Sequence, residues 1–350
     1  MYRLLLIALL ATVLAPPARA APPAKAFAGP RPSPPPAPPQ PAPLTAAERA
    51  IFWQSPEDPP AEVRNTMKKE NEGQHFLTCD EWNLHLFAPH LKNLGGGYAG
   101  VGTDQAYLFI GWQRPSLAWL TDYDPWVVRM HKIYAALFRA ADSPQAMRKL
   151  WQPKGRADAR AAIQARWPQD PELPKLLAIY DGYRVLVSRR LERASDDLRE
   201  AKVASWLTDA DTYSYVRALI EAGRVRPMLA NLLETRALRG IGDVGRKLGV
   251  PLRTLYLSNA EEYWAYPQSY RDNIAALHFD ASSWIARTMA AKPTNRDYRY
   301  NLQPALAFQK QVVDPKVKKV YHVVPWVLVR DETHFPLTVM GQERRRGRTY

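Results

Sequence analysis

Three short polar clusters follow apolar runs in this 350-residue chain, and their residue types suit one kind of ligand. The first is Gly100-Val101-Gly102-Thr103-Asp104-Gln105. Glycine lets a backbone approach a ligand closely, and a helix that follows offers free N–H groups. The second is Asp122, with Asp124 two residues on. An acid ending a second strand can accept both hydroxyls of a ribose. The third is Ser258-Asn259-Ala260-Glu261-Glu262-Tyr263. In that order they describe a nucleoside-type pocket beyond strand ends. Each also has a plainer reading. G-x-G without the full G-x-G-x-x-G is equally a tight turn. Asp122 reads as a helix cap, and Glu261 and Glu262 as charges at a helix start.

The elements that would position these clusters alternate between strand and helix. Residues 96–102 read as a strand entering a glycine turn, and 103–113 as a short helix with Thr103 at its N-cap. A buried strand is expected at 116–122. A helix then starts at Pro125, where a missing N–H costs nothing. Further strands are expected at 224–233, 252–264, 282–289 and 319–330. A helix at 235–249 ends on Gly249, and another covers 266–277. This alternation predicts an α/β fold with a mostly parallel sheet covered on both faces. Residues 143–206 are charged and helical throughout. They read as a helical insertion, either a lid or extra helices on the sheet's outer face.

The segment "YAGVGTDQAYLFIGWQRPSLAWLTDYDPWVVRMHKIYAALF" resembles a bacterial family of uncharacterised proteins with a methyltransferase-like Rossmann fold. Members carry a G-V-G turn followed by Q-N-[FY], and then an apolar strand ending V-D-I-R-R. "LYLSNAEEYW" resembles the same family's Y-L-S-N-V-E-Q-Y segment, and the likeness covers roughly residues 60–290. It implies a Rossmann-like, S-adenosylmethionine methyltransferase-like sheet, with S-adenosylmethionine as the cofactor to expect. Gly100, Gly102, Asp104 and Gln105 would line the first turn, and Asp122 would match the acid of the V-D motif. Ser258 and Asn259 would complete the cofactor side. Glu261 and Tyr263 are the candidates for a base or orienting group, with no sequence feature selecting between them. The chain departs from the pattern at Thr103, Ala106, Glu262 and Asp124-Pro125, and the last pair replaces two arginines beside the pocket.

Other chemistries lack their signatures. The seven histidines form no H-E-x-x-H pattern, and Cys79 is the only cysteine, so neither a metal site nor a disulfide is expected. Cys79 reads as a small, partly buried hydrophobe. Trp112, Trp119 and Trp126 read as core or rim residues. No G-x-S-x-G elbow or Walker A loop occurs. The formal net charge of +14 reads mainly as a charged surface plus the basic tail at 341–350, so no nucleic-acid partner is expected.

"MYRLLLIALLATVLAPPARA" has the charge, apolar run and A-x-A site of a secretory signal peptide, expected over residues 1–20. A proline-rich, extended linker follows to residue 44. The folded domain is expected from Thr45 to about 340. No transmembrane helix remains after cleavage, and the compartment is periplasmic or secreted. Export sits awkwardly with a cytosolic cofactor. Three functions therefore compete: an exported methyltransferase, a non-catalytic envelope or secreted binding protein that reuses the fold without the cofactor, and a different enzyme acting on a nucleotide-like or lipid-derived ligand in the same pocket.

Overall fold

Among the described residues a central sheet of seven strands runs in the order β3-β2-β1-β4-β5-β6-β7. The computed structural model describes residues 36–61, 73–291, 297–324 and 337–341. The leader, the linker up to residue 35 and the tail from residue 342 lie outside them. The strands are β1 (Gly97–Val101), β2 (Leu117–Asp122), β3 (Val225–Leu229), β4 (Leu252–Tyr256), β5 (Trp284–Ala290), β6 (Tyr298–Pro304) and β7 (Leu337–Val339). β1 to β5 are all parallel, and β6 runs antiparallel to β5. The order 3-2-1-4-5 is that of a Rossmann-like fold, with the chain reversing its direction of travel between β1 and β4.

Side-chain alternation feeds two cores. Tyr98, Ala118, Leu120, Tyr256 and Ala286 enter one; Ala99, Leu117, Trp119, Leu255 and Ile285 enter the other. The first core is covered by α3 (Gln105–Gln113), α4 (Pro125–Ala140) and α8 (Ala210–Glu221). The second is covered by α9 (Ala237–Lys247), α10 (Gln268–Ala276), α11 (Ala305–Val312) and Phe52 of α1 (Ala46–Trp53). Helix α1 opens with the Thr45–Glu48 capping box, near where the folded body was expected to begin. α2 (Ala88–Leu91) is a single turn leading into β1.

The helical insertion forms α5 (Pro144–Trp151), α6 (Arg156–Arg166) and α7 (Leu173–Glu200). Met147, Trp151, Ile163, Tyr180 and Leu191 are buried in the same core as the sheet residues. The insertion is therefore a second tier of helices over α4, continuous with the body.

Several expectations need correction. Helix α3 starts at Gln105, not at Thr103, and Asp104 sits at the cap position without a capping side-chain bond. β4 ends at Tyr256, and a 3-10 turn covers Ala260–Tyr263. The strand expected at 319–330 is a 3-10 turn at Val320–His322, and its residues 325–330 lie outside the described ones. β6 and β7 supply the far edge instead. Asp124, not Asp122, caps α4, accepting from the Trp126 N–H at 2.9 Å.

Candidate functional site

The register puts the carboxyl ends of the parallel strands level. Leu120, Gly100, Tyr256 and Ala286 are neighbours across β2, β1, β4 and β5. Beyond that row the chain turns at Gly102, whose φ of +89° suits glycine. A Cβ on Gly102 would fall onto the Gln105 amide, and one on Gly100 onto the Tyr98 hydroxyl. Gln105 closes the turn on itself: its Oε1 accepts from Thr103 N at 2.9 Å, and its Nε2 donates to Val101 O at 3.3 Å.

The turn meets the expected acid. Gly102 N donates to Asp122 Oδ2 at 3.1 Å, and Asp124 N donates to Asp122 Oδ1 at 3.0 Å. Burial is the main force on Asp122 and pushes its carboxyl up to about 7, against the pull of these backbone donors. On the other side of the turn, His131 Nε2 donates to Gly102 O at 2.8 Å, and its Nδ1 accepts from the Tyr107 hydroxyl at 3.0 Å. Burial holds His131 down at about 4, so the ring is neutral.

A strap at residues 75–83 crosses the crest of the sheet. His75 Nδ1 lies 2.7 Å from Asp124 Oδ2, and its ring stacks on Trp126 with centroids 4.0 Å apart. Cys79 N donates to Asp104 Oδ1 at 2.8 Å, and Arg190 of α7 reaches Asp104 Oδ2 at 3.0 Å. Asp104 and Arg190 are both buried, which joins the insertion, the strap and the glycine turn at one ion pair. Asp80 accepts from Tyr298 at 2.7 Å, and Asp297 accepts from Trp82 N at 3.2 Å and Asn83 Nδ2 at 2.6 Å. The strap thus touches the ends of β2, β1, β4 and β5 and the start of β6.

Glu81 is the centre of this strap. It is 1% exposed and takes four donors: Ser258 Oγ at 2.8 Å and Thr288 Oγ1 at 2.7 Å on Oε1, with Tyr256 and the Cys79 thiol on Oε2. Four donors match the lone-pair capacity of an ionised carboxylate. Burial still raises its pKa, and the four donors oppose that rise. The Cys79 thiol is pushed up by burial and by the charge of Glu81.

The third sequence cluster divides. Ser258 joins Glu81 and carries a positive φ of 49°, a strained setting for a non-glycine residue. Asn259 Nδ2 donates to the Tyr263 hydroxyl at 3.4 Å. Glu261 goes elsewhere. It pairs with Arg287 at 2.6 Å and accepts from Tyr266 at 2.5 Å and Tyr270 at 2.8 Å, fully buried. Arg287 and Thr288 are successive strand residues and point to opposite faces, so Glu261 and Glu81 lie on opposite faces of β5. Glu261 as a free base is therefore corrected to a buried ion-pair residue. Tyr263 is half-buried at the crest.

From sequence alone Glu81, Arg190, Thr288, His75 and His131 carry no site role, and Cys79, expected as a small, partly buried hydrophobe, is a buried thiol that donates to Glu81. For Glu81 and Cys79 the one hint is the polar run "TCDEWN", which has no helix or strand period. Among the described residues no group of three or more His, Cys, Asp or Glu is placed to hold a metal ion, and no helix is long and apolar enough to cross a membrane.

The model of a domain of unknown function, DUF7790, matches residues 76–334. The chain belongs to the DUF7790 family. The DUF7790 match opens within the strap, at Phe76, and takes in all of β1 to β6, so strap and sheet crest belong to one family domain. None of the curated proteins compared with the chain matches it.

Proposed function

We propose that this DUF7790 protein binds a nucleoside-bearing small molecule at the Gly102–Asp122 end of the sheet crest, outside the cytoplasm. S-adenosylmethionine is the first candidate. The observation that carries the reading is the Gly102 N–H on the Asp122 carboxylate at 3.1 Å, beyond adjacent parallel strands. In open α/β sheets this crevice is where ligands sit. Each carboxylate oxygen has two acceptor sites, so Asp122 can hold the turn and still accept a sugar hydroxyl. The acid is half-buried and therefore reachable. Bound there, S-adenosylmethionine would supply a methyl group for transfer, and the protein's share would be positioning. The leader and linker support export, and a periplasmic or secreted location follows from them.

A second reading is a binding protein without catalysis. Two observations favour it: Glu81 has its acceptor sites filled by protein donors, and Glu261 is consumed by Arg287. Neither is left free as a base.

Cell fractionation comes first, because a cytosolic, unprocessed chain would sink the export reading. Thermal shift of the purified chain with S-adenosylmethionine and S-adenosylhomocysteine follows. At 100 times its dissociation constant a ligand stabilises by about 2.7 kcal/mol. A shift lost in Asp122→Ala supports the nucleoside reading. No shift with either compound would overturn cofactor use.

A further inference from the structure

Glu81 sits on its partners as a ligand would. Tyr256 ends β4, Ser258 follows it, and Thr288 lies in β5, yet all three hydroxyls converge on one carboxylate supplied from far upstream. A Rossmann-like sheet receives small molecules beyond the carboxyl ends of its strands, and β4 flanks the point where the strand order reverses. The strap also lies like a bound peptide. Leu77, Cys79 and Glu81 face inward, and Phe76, Asp80 and Trp82 face out, a period of two with no strand ladder. It is held mainly by side chains, through Asp104, Asp297 and the hydroxyls around Glu81. Ser258 holds its hydroxyl on Glu81 from a strained backbone, and strain of this kind persists where the surroundings enforce it. The crest near Asp122 is engaged differently, by His75 through Asp124 and Trp126, so the two ends of the strap act on separate parts of the crevice.

We propose that Glu81 occupies the anchoring point of a ligand carboxylate, and that a carboxylate-bearing nucleoside displaces this part of the strap on binding. The inference rests on the nucleoside reading above and adds to it a second, anionic subsite with a built-in competitor. A competitor within the chain weakens apparent affinity by the fraction of molecules in which the strap is released.

The test uses the mature, full-length chain and two probes. S-adenosylhomocysteine carries an amino-acid carboxylate, and 5′-methylthioadenosine has a similar nucleoside without one. In calorimetric titration, Glu81→Ala should bind S-adenosylhomocysteine at least about tenfold more tightly than wild type and change 5′-methylthioadenosine by less than about threefold. Hydrogen exchange on the wild-type chain needs no variant and covers a Glu81→Ala that fails to fold. The Cys79, Trp82 and Asn83 amides, which donate to Asp104, Asp297 and Tyr300, should exchange faster when S-adenosylhomocysteine is bound. Unchanged or weaker S-adenosylhomocysteine binding in Glu81→Ala overturns the proposal, as does equal tightening of both probes or slower exchange at those amides. If wild type binds in an Asp122-dependent way and Glu81→Ala changes nothing, only the carboxylate subsite falls. Failure of both probes on both chains removes the nucleoside reading as well.

Discussion

Asp122 and His131 hold the two backbone poles of the same residue: Gly102 donates its N–H to Asp122 at 3.1 Å, and its carbonyl accepts from His131 at 2.8 Å. The turn that would meet a ligand is thus fixed by two titratable groups, a half-buried Asp122 and a fully buried His131. Burial drives both toward their neutral forms, which moves their pKa values in opposite directions, and the consequences for stability have opposite signs.

For Asp122 the native pKa, about 7, lies above the unfolded carboxylate value. Between the two, the native state binds more protons than the unfolded one, so stability falls as pH rises toward about 7 and levels off above it. Asp122→Asn should remove this slope. The readout is the stability difference between wild type and Asp122→Asn in urea at several pH values from 5 to 8, because His131 adds a slope of opposite sign below about 6.5; a difference that does not change with pH would refute the assignment.

The sign reverses for His131. Its native pKa of about 4 lies below the unfolded histidine value, so stability is lost as pH falls from about 6.5 toward 4. Carboxylates that are held low in the native state, such as Asp280, add to the loss at the acid end. The readout is therefore the difference from His131→Gln, whose acid limb should be shallower than that of wild type.

Arg190 and Asp104 form a buried pair at 3.0 Å between the helical insertion and the glycine turn. Arg190→Met leaves Asp104 charged and without its cation, and should cost about 3–5 kcal/mol of unfolding free energy. Asp104→Asn with Arg190→Met should lose less than the sum of the two single changes. Additive losses in a denaturant double-mutant cycle would show that the pair carries no coupling.

Gly102→Ala meets two obstacles at once, a φ of +89° and the Gln105 amide in the place of the new Cβ. The backbone alone should cost about 1–2 kcal/mol. Adding Gln105→Ala clears the space and leaves the backbone strain. The melting temperature of the double variant should then recover only in part, measured against Gln105→Ala alone.

Much of the layered architecture could be read from local pattern. The apolar runs of β1, β2, β4 and β5, Pro125 at the start of α4 and Gly249 after α9 all signal themselves within a few residues. β6 did not. Its polar residues Arg299, Asn301 and Gln303 are nearly fully buried, and buried polar residues mimic a surface segment when read without partners. For the site, the glycine turn and Asp122 were legible because each stands at the end of its own strand. Glu261 was misread because its partner, Arg287, lies 26 positions away on β5. Glu81 was missed because a carboxylate in a loop shows nothing of the hydroxyls it will meet.

By itself the sequence determined the strands β1 to β5 and the main helices between them to within a few residues, and that glycine and acid stand at the ends of two neighbouring apolar runs. Those features depend on contacts between near neighbours, such as alternation, capping and turn geometry. Only the tertiary structure decided that residues 75–83 lie over the crest, and that Glu81 gathers the hydroxyls of β4 and β5. The bonds that place the strap span from 25 to 218 positions. Separations of that length are set by how the strands stack into one sheet, which no local pattern encodes.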